Sequence, residues 1–209
     1  MEDNCVKPAT VPSWRSVVLL PVLVLAACAA QPVEEPPVPD ALPAMAWDQQ
    51  GPHTGGWTEA TLDALRTEGA ALLSEVPGDI GVWCPGYVQA EPQERAAFWA
   101  GLLSALARFE STWNPRAVGG GGQWFGLVQI SPATARGYGC EADSGSELTD
   151  GEANLECAVR IAARTVTRDG VVAAGGGGFA ADWGPFASAE KRQQMASWVS
   201  SQEYCRAQG

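Results

Sequence analysis

Histidine is almost missing from this chain, with His53 the single example in 209 residues. That scarcity argues against Ser-His-Asp and Cys-His nucleophilic mechanisms, because His53 falls in a proline-rich spacer away from any candidate nucleophile. It argues equally against a His-based metal hydrolase. No Cys-x-x-Cys pair occurs either, so a zinc site lacks its usual ligands. Positive charge is scarce too: 13 Lys and Arg stand against 24 Asp and Glu, for a net charge of −11. Such a chain repels a phosphate backbone, which argues against nucleic acid as a partner; beyond that, the acidity reads as solubility. Neither glycine run, Gly119 to Gly122 or Gly175 to Gly178, has the Gly-x-x-x-x-Gly-Lys spacing of a nucleotide site. Repeats at solenoid periods are absent, and alternating strand patterns nearly so.

What is present is globular. Apolar residues make up 46% and charged residues 18% of the chain, enough for one domain with a real core plus leader segments. Near the N-terminus, Arg15 precedes an apolar run from Val17 to Ala27 that is too short to span a bilayer. That is the shape of a secretory signal. The run ends in Leu25-Ala26-Ala27-Cys28, which resembles a bacterial lipobox. In that pattern the signal, residues 1–27, is cut away and the Cys28 thiol carries a lipid anchor. An ordinary signal with an incidental Cys is the other reading. Ala29 is not an aspartate retention signal, which points to a periplasm-facing lipoprotein of the outer membrane in a Gram-negative host. Gln31-Pro32-Val33-Glu34-Glu35-Pro36-Pro37-Val38-Pro39 then favours extended chain, so residues 28–56 read as a tether. Export makes the remaining thiols legible as disulfides. Cys140 and Cys157 flank a polar loop and are expected to pair, leaving Cys84 with Cys205.

The compact domain is expected over 57–209 and is mainly α-helical, with at most a small sheet around the first glycine run. Leu62, Leu65, Leu72 and Leu73 have near-helical spacing. The strongest helix starts at Pro92, favourable in a first turn, and runs through Phe98, Trp99, Leu102, Leu103, Leu106 and Phe109. Ser131-Pro132 opens a short helix. Asp150 or Gly151 opens another, with Leu155, Ala158, Val159, Ala162 and Val166 inward and Gly170 as its stop. A last helix behind a Ser188 cap buries Met195, Trp198, Val199 and Cys205.

With histidine and metal excluded, carboxylates remain, and Glu110 is the most informative. Leu106, Leu103 and Trp99 lie four, seven and eleven residues before it, which puts Glu110 on the apolar face of its helix. Desolvation there raises its pKa, and the nearby helix C-terminus acts in the same direction. A protonated buried acid suits glycoside cleavage, whose leaving oxygen must be protonated. The competing reading is a buried Glu paired with an arginine such as Arg116 or Arg136.

The flanking residues are Glu110-Ser111-Thr112-Trp113-Asn114-Pro115-x-Ala117, then Gly126-Leu127-Val128-Gln129-Ile130 and Thr134. They resemble the lytic transglycosylase family, which has a goose-type lysozyme-like (SLT) fold. Leu148-Thr149-Asp150-Gly151-Glu152-Ala153-Asn154-Leu155 is similar to its third motif. The resemblance covers roughly residues 92 to 186. It implies Glu110 as the acid/base, Ser111 as a hydroxyl orienting the substrate, and Gln129 facing the glycan cleft. Val128 takes the position usually held by Met, and Asn154 is expected to help line the cleft. The late Ala-Tyr-Asn-x-Gly segment of the family departs here to Ala180-Ala181-Asp182-Trp183-Gly184-Pro185. The Tyr is therefore missing, Asp182 replaces the Asn, and Tyr138 or Trp183 is left to supply a ring. Trp113, Trp124 and Trp183 lie in loops around these motifs, either to stack on sugars or to pack in the core.

The activity implied is cleavage of the β-1,4 bond between N-acetylmuramic acid and N-acetylglucosamine, with closure of a 1,6-anhydro ring. No metal or organic cofactor is implied; the partners are peptidoglycan strands and, through Cys28, a membrane. A hydrolytic muramidase and a catalytically silent envelope-binding lipoprotein remain as alternatives.

Overall fold

The computed structural model describes residues 41–206; the expected signal peptide, Cys28 and the first part of the tether, residues 28–40, lie outside the described residues. The described chain forms helices α1 (Thr54–Arg66), α2 (Ala70–Ser74), α3 (Ile80–Trp83), α4 (Pro92–Ser111), α5 (Pro132–Tyr138), α6 (Gly151–Asp169) and α7 (Ala189–Ser200). Short 3-10 turns join them. Strands β1 (Val118–Gly119) and β2 (Trp124–Phe125) form a small antiparallel hairpin that pairs Val118 with Phe125 and Gly119 with Trp124. This is the mainly helical lysozyme-like architecture, with its β element at the first glycine run.

α4 is the central helix. Ala96 to Ala107 are buried on every side, as expected of a helix enclosed by others rather than one lying on a surface. Pro92 sits in its first turn, and Glu91 and Glu94 form a reciprocal capping box that satisfies orphan backbone donors. α1, α2 and α7 pack against it, and α6 packs on α1. An aromatic cluster fills the interior: Trp99 stacks parallel to Phe179 at 6.1 Å, and its indole N–H donates to the Tyr87 hydroxyl at 2.9 Å.

The disulfides are Cys140–Cys157 and Cys84–Cys205, the expected pairs. Other expectations shift. The ordered fold begins before Trp57, because Met45, Ala46 and Trp47 are buried. The Trp47 indole N–H donates to Thr58 Oγ1, and the Ala46 N–H donates to Ser104 Oγ on α4. His53 is therefore no part of a loose spacer; it precedes α1 and meets the Trp57 ring edge-on at 5.2 Å. The leucine pattern from Leu62 to Leu73 is two helices rather than one, broken at Gly69, where a side chain would collide with Val159 on α6. Cys205 sits in a turn beyond α7, and Trp198 is only partly buried.

Candidate active site

Glu110 lies in the last turn of α4. The helix stops because Thr112 and Trp113 both adopt positive φ, 54° and 59°, a conformation costly for non-glycine residues and concentrated at functional sites. The Ser111 hydroxyl donates to Leu127 O at 2.8 Å and to Ala107 O at 3.2 Å. Its proton is thus engaged with protein, and it ties the end of α4 to the loop that follows β2. Ser111 acts on that loop rather than pointing a free donor into the cleft.

Residues 126–129 of the loop are held from behind by Asn154. Its Oδ1 accepts from the Val128 N–H at 3.0 Å, and its Nδ2 donates to Phe125 O and Leu148 O, both at 3.0 Å. Asn154 is fully buried, so the expectation that it lines the cleft is corrected: the side chain faces inward and satisfies three backbone groups. Gly126 has φ +81°, and a Cβ there would strike Leu148 O and the Asn154 amide, so this motif glycine is required twice over. Asn154→Ala is expected to cost about 3 kcal/mol in chemical denaturation, because the buried Val128 N–H and Leu148 O lose their partner, while Phe125 O keeps only the Ile130 N–H. A change below about 1 kcal/mol would contradict that accounting.

Val128 is likewise corrected. Its side chain is buried in the core, and only its backbone serves the site, through a carbonyl that accepts the Trp183 indole N–H at 2.9 Å. Gln129 does reach the cleft. It too has positive φ, 50°, and its amide donates to Gly126 O at 2.9 Å and Ala117 O at 3.2 Å. Gly119 leaves room for that amide, since a Cβ there would overlap Gln129 Oε1.

Together these elements wall a cleft of about 440 Å³ that contains Glu110, Gln129, Trp124, Asp182, Trp183 and Lys191, floored by Phe109, Gly119 and Gly120. Trp124 is 45% exposed and presents a ring at the rim, whereas Trp183 is buried and shows only part of itself. Trp113 packs away from the cleft, its indole N–H donating to Ser104 O. Tyr138 approaches the site only through Asp182, donating its hydroxyl to Asp182 Oδ2 at 2.9 Å. Of the two rings considered for the missing Tyr, Trp183 lines the cleft. A larger groove of about 510 Å³ opens between α3 and α7, but the Asp79 carboxylate on its wall already accepts from the N–H groups of Val172, Ala173 and Ala174.

Burial pushes the Glu110 carboxyl up to about 7, with the Lys191 charge pulling weakly the other way. Among the described residues no salt bridge involves Glu110, so neither Arg116 nor Arg136 neutralises it. Arg136 donates instead to Asp143 O. The carboxyl is thus poised to lose and regain a proton near neutrality. Phe109 and Lys191 were not anticipated as site residues; Phe109 was read as core, and nothing local ties α7 to the end of α4.

The family described as Transglycosylase SLT domain matches residues 88–194. Among solved structures, wild-type Bd0314 DslA in its form 2 is similar with 29% identity and a TM-score of 0.72, over 79% of this chain and 100% of that one. Two Glu-to-Gln mutants of DslA match over the same shares, at 29% identity with TM-score 0.72 and 28% with 0.71. No curated protein matches. With the motif residues gathered around one cleft, the chain belongs to the SLT transglycosylase family, lysozyme-like in fold and lytic transglycosylase-like, peptidoglycan-active in function.

Proposed function

We propose that the domain is a peptidoglycan lytic transglycosylase that cuts the β-1,4 bond between N-acetylmuramic acid and N-acetylglucosamine, leaving a 1,6-anhydromuramyl end. The observation that carries this reading is Glu110, a carboxyl raised to about 7 in a cleft lined by Phe109, Trp124 and Trp183. Glu110 donates its proton to the glycosidic oxygen as the bond to the muramyl C1 breaks, with the muramyl acetamido group assisting. The resulting carboxylate then takes the proton of the muramyl C6 hydroxyl as that oxygen bonds to C1. The proton is back on Glu110 at the end, and no water is used. Because the nucleophile is part of the substrate, its effective concentration is high without a second catalytic group.

The acid form must be present for the first step. Activity is therefore expected to fall as pH rises through about 7, by about tenfold per unit beyond it. Turbidity clearance of purified peptidoglycan between pH 5 and 9 checks this, and a rate flat to pH 9 would remove Glu110 as the titrating acid. Asp182, a second carboxylate in the same cleft, favours hydrolysis as the alternative reading, since paired carboxylates serve water-using glycosidases. Mass spectrometry of the released muropeptides separates the two: anhydro ends support the internal attack, and reducing ends the muramidase. A silent binder would release neither. The proposal extends to anchoring through Cys28 on a periplasm-facing, outer-membrane lipoprotein, which a globomycin-sensitive mobility shift tests.

A further inference from the structure

The chain has two lysines, Lys7 and Lys191, and Lys191 is the one among the described residues. It occupies the first turn of α7, where its backbone N–H reaches the Ser188 cap at 3.4 Å. A cation at a helix N-terminus opposes the helix dipole, which favours acidic side chains there. Such conflicts between local preference and sequence are expected at functional positions. Its ammonium stands 5.7 Å from the centroid of the Phe109 ring, on the wall of the cleft that holds Glu110 and Asp182.

Most arginines among the described residues are committed. Arg66, Arg160, Arg168 and Arg206 meet carboxylates, while Arg95, Arg136 and Arg192 donate to backbone carbonyls. Among the described residues, Lys191 has no salt bridge, and no hydrogen bond is made by its ammonium. Contact with an aromatic face attracts the cation without neutralising it. In a protein of net charge −11, an uncommitted ammonium inside the cleft is a receptor for an anion that the rest of the surface would repel.

We propose that Lys191 is a specificity-determining residue that binds a carboxylate of the glycan substrate beside the scissile bond. Peptidoglycan offers that group in two places, the lactyl ether of a muramyl residue without a peptide and the acidic residues of a stem peptide. The inference rests on the peptidoglycan reading above, but it concerns binding and not turnover.

The test therefore uses Glu110→Gln protein, in which binding is read without cleavage, and compares Lys191 with Lys191→Met and Lys191→Arg. Each is sedimented with peptide-bearing peptidoglycan, with amidase-denuded strands that carry free lactyl carboxylates, and with both after carbodiimide amidation. Lys191→Met is expected to weaken binding about tenfold to the untreated material, with Arg restoring most of it and amidated strands binding all three alike. Loss confined to peptide-bearing material assigns the stem carboxylate; loss on denuded strands assigns the lactyl group. Equal binding of Lys191 and Lys191→Met to every preparation overturns the proposal. So does an effect of Lys191→Met that is absent from binding and appears only in the protein with Glu110 intact, as an upward shift of the pH limb of activity, because Lys191 would then act on Glu110 alone. Thermal unfolding of Lys191→Met unchanged or slightly raised confirms that the variant is folded. If wild-type protein releases no muropeptides while binding still depends on Lys191, the catalytic reading fails and this one stands.

Discussion

Glu110→Gln is expected to abolish release of muropeptides and, above neutral pH, to make the protein more stable. Loss of the group proposed to act as both acid and base is expected to lower the rate by a factor on the order of 1,000 or more. Gln keeps the shape and cannot transfer the proton. The stability arm follows from the same carboxyl. Its pKa is raised from 4.5 to about 7 by burial, so the folded protein holds this proton more tightly than the unfolded chain does. Below about 4.5 both states are protonated and the charge has no effect on folding. As pH rises from there to about 7 the unfolded chain ionises first, and folding becomes progressively less favourable. Above that range the full penalty is present, roughly 2 kcal/mol after allowance for solvent at the open side of the cleft. Urea denaturation of both proteins at pH 4 and pH 8.5 measures it. The Gln variant gains midpoint at pH 8.5 and not at pH 4. A gap that is the same at both values would mean that the carboxyl is not desolvated, and unchanged muralytic activity would sink the catalytic reading.

Replacing Cys84 and Cys205 together by alanine is expected to cost about 5 kcal/mol, the larger of the two disulfide losses. The bond joins positions separated by 121 residues, against 17 for Cys140–Cys157, so it removes far more freedom from the unfolded chain. The corresponding figure for the shorter loop is about 3 kcal/mol on the same chain-entropy argument. The long loop also closes the domain on itself: Cys84 follows α3, Cys205 follows α7, and the Gly86 N–H donates to Cys205 O at 3.0 Å beside the bond. A loss of that size is comparable to the whole stability of many domains, so the variant is expected to be largely unfolded at 37 °C. Denaturant midpoints of the two double-alanine variants under non-reducing conditions check the order. A costlier loss at Cys140–Cys157 would mean that native packing, rather than unfolded-chain entropy, governs these bonds.

Much of the frame was legible in the chain because its signals are local. Pro92, the three-four apolar pattern and a non-continuing Ser-Thr-Trp segment define α4 and put Glu110 at its inner end. Asp150 caps α6 through the N–H groups of Glu152 and Ala153, and Gly170 ends it with positive φ. The first glycine run became the hairpin turn that the composition required. The tether boundary was misjudged because Met45 and Trp47 lie among prolines and polar residues, whose composition hides a tryptophan that is 0% exposed.

The sequence by itself determined that this protein is a helical SLT-type domain, and it singled out Glu110 as the carboxylate on the apolar face of the helix that begins at Pro92. Periodicity, caps and a near absence of histidine are properties of neighbours along the chain, and they need no fold to be read. Only the tertiary structure decided what surrounds Glu110. It turned Asn154 inward to hold the backbone of the 126–129 loop, and it buried the Val128 side chain. It set Trp183 against the Val128 carbonyl and brought Lys191 from α7 into the cleft. Those contacts join segments far apart in sequence, so their partners are chosen by how the helices pack around α4 and not by any local pattern.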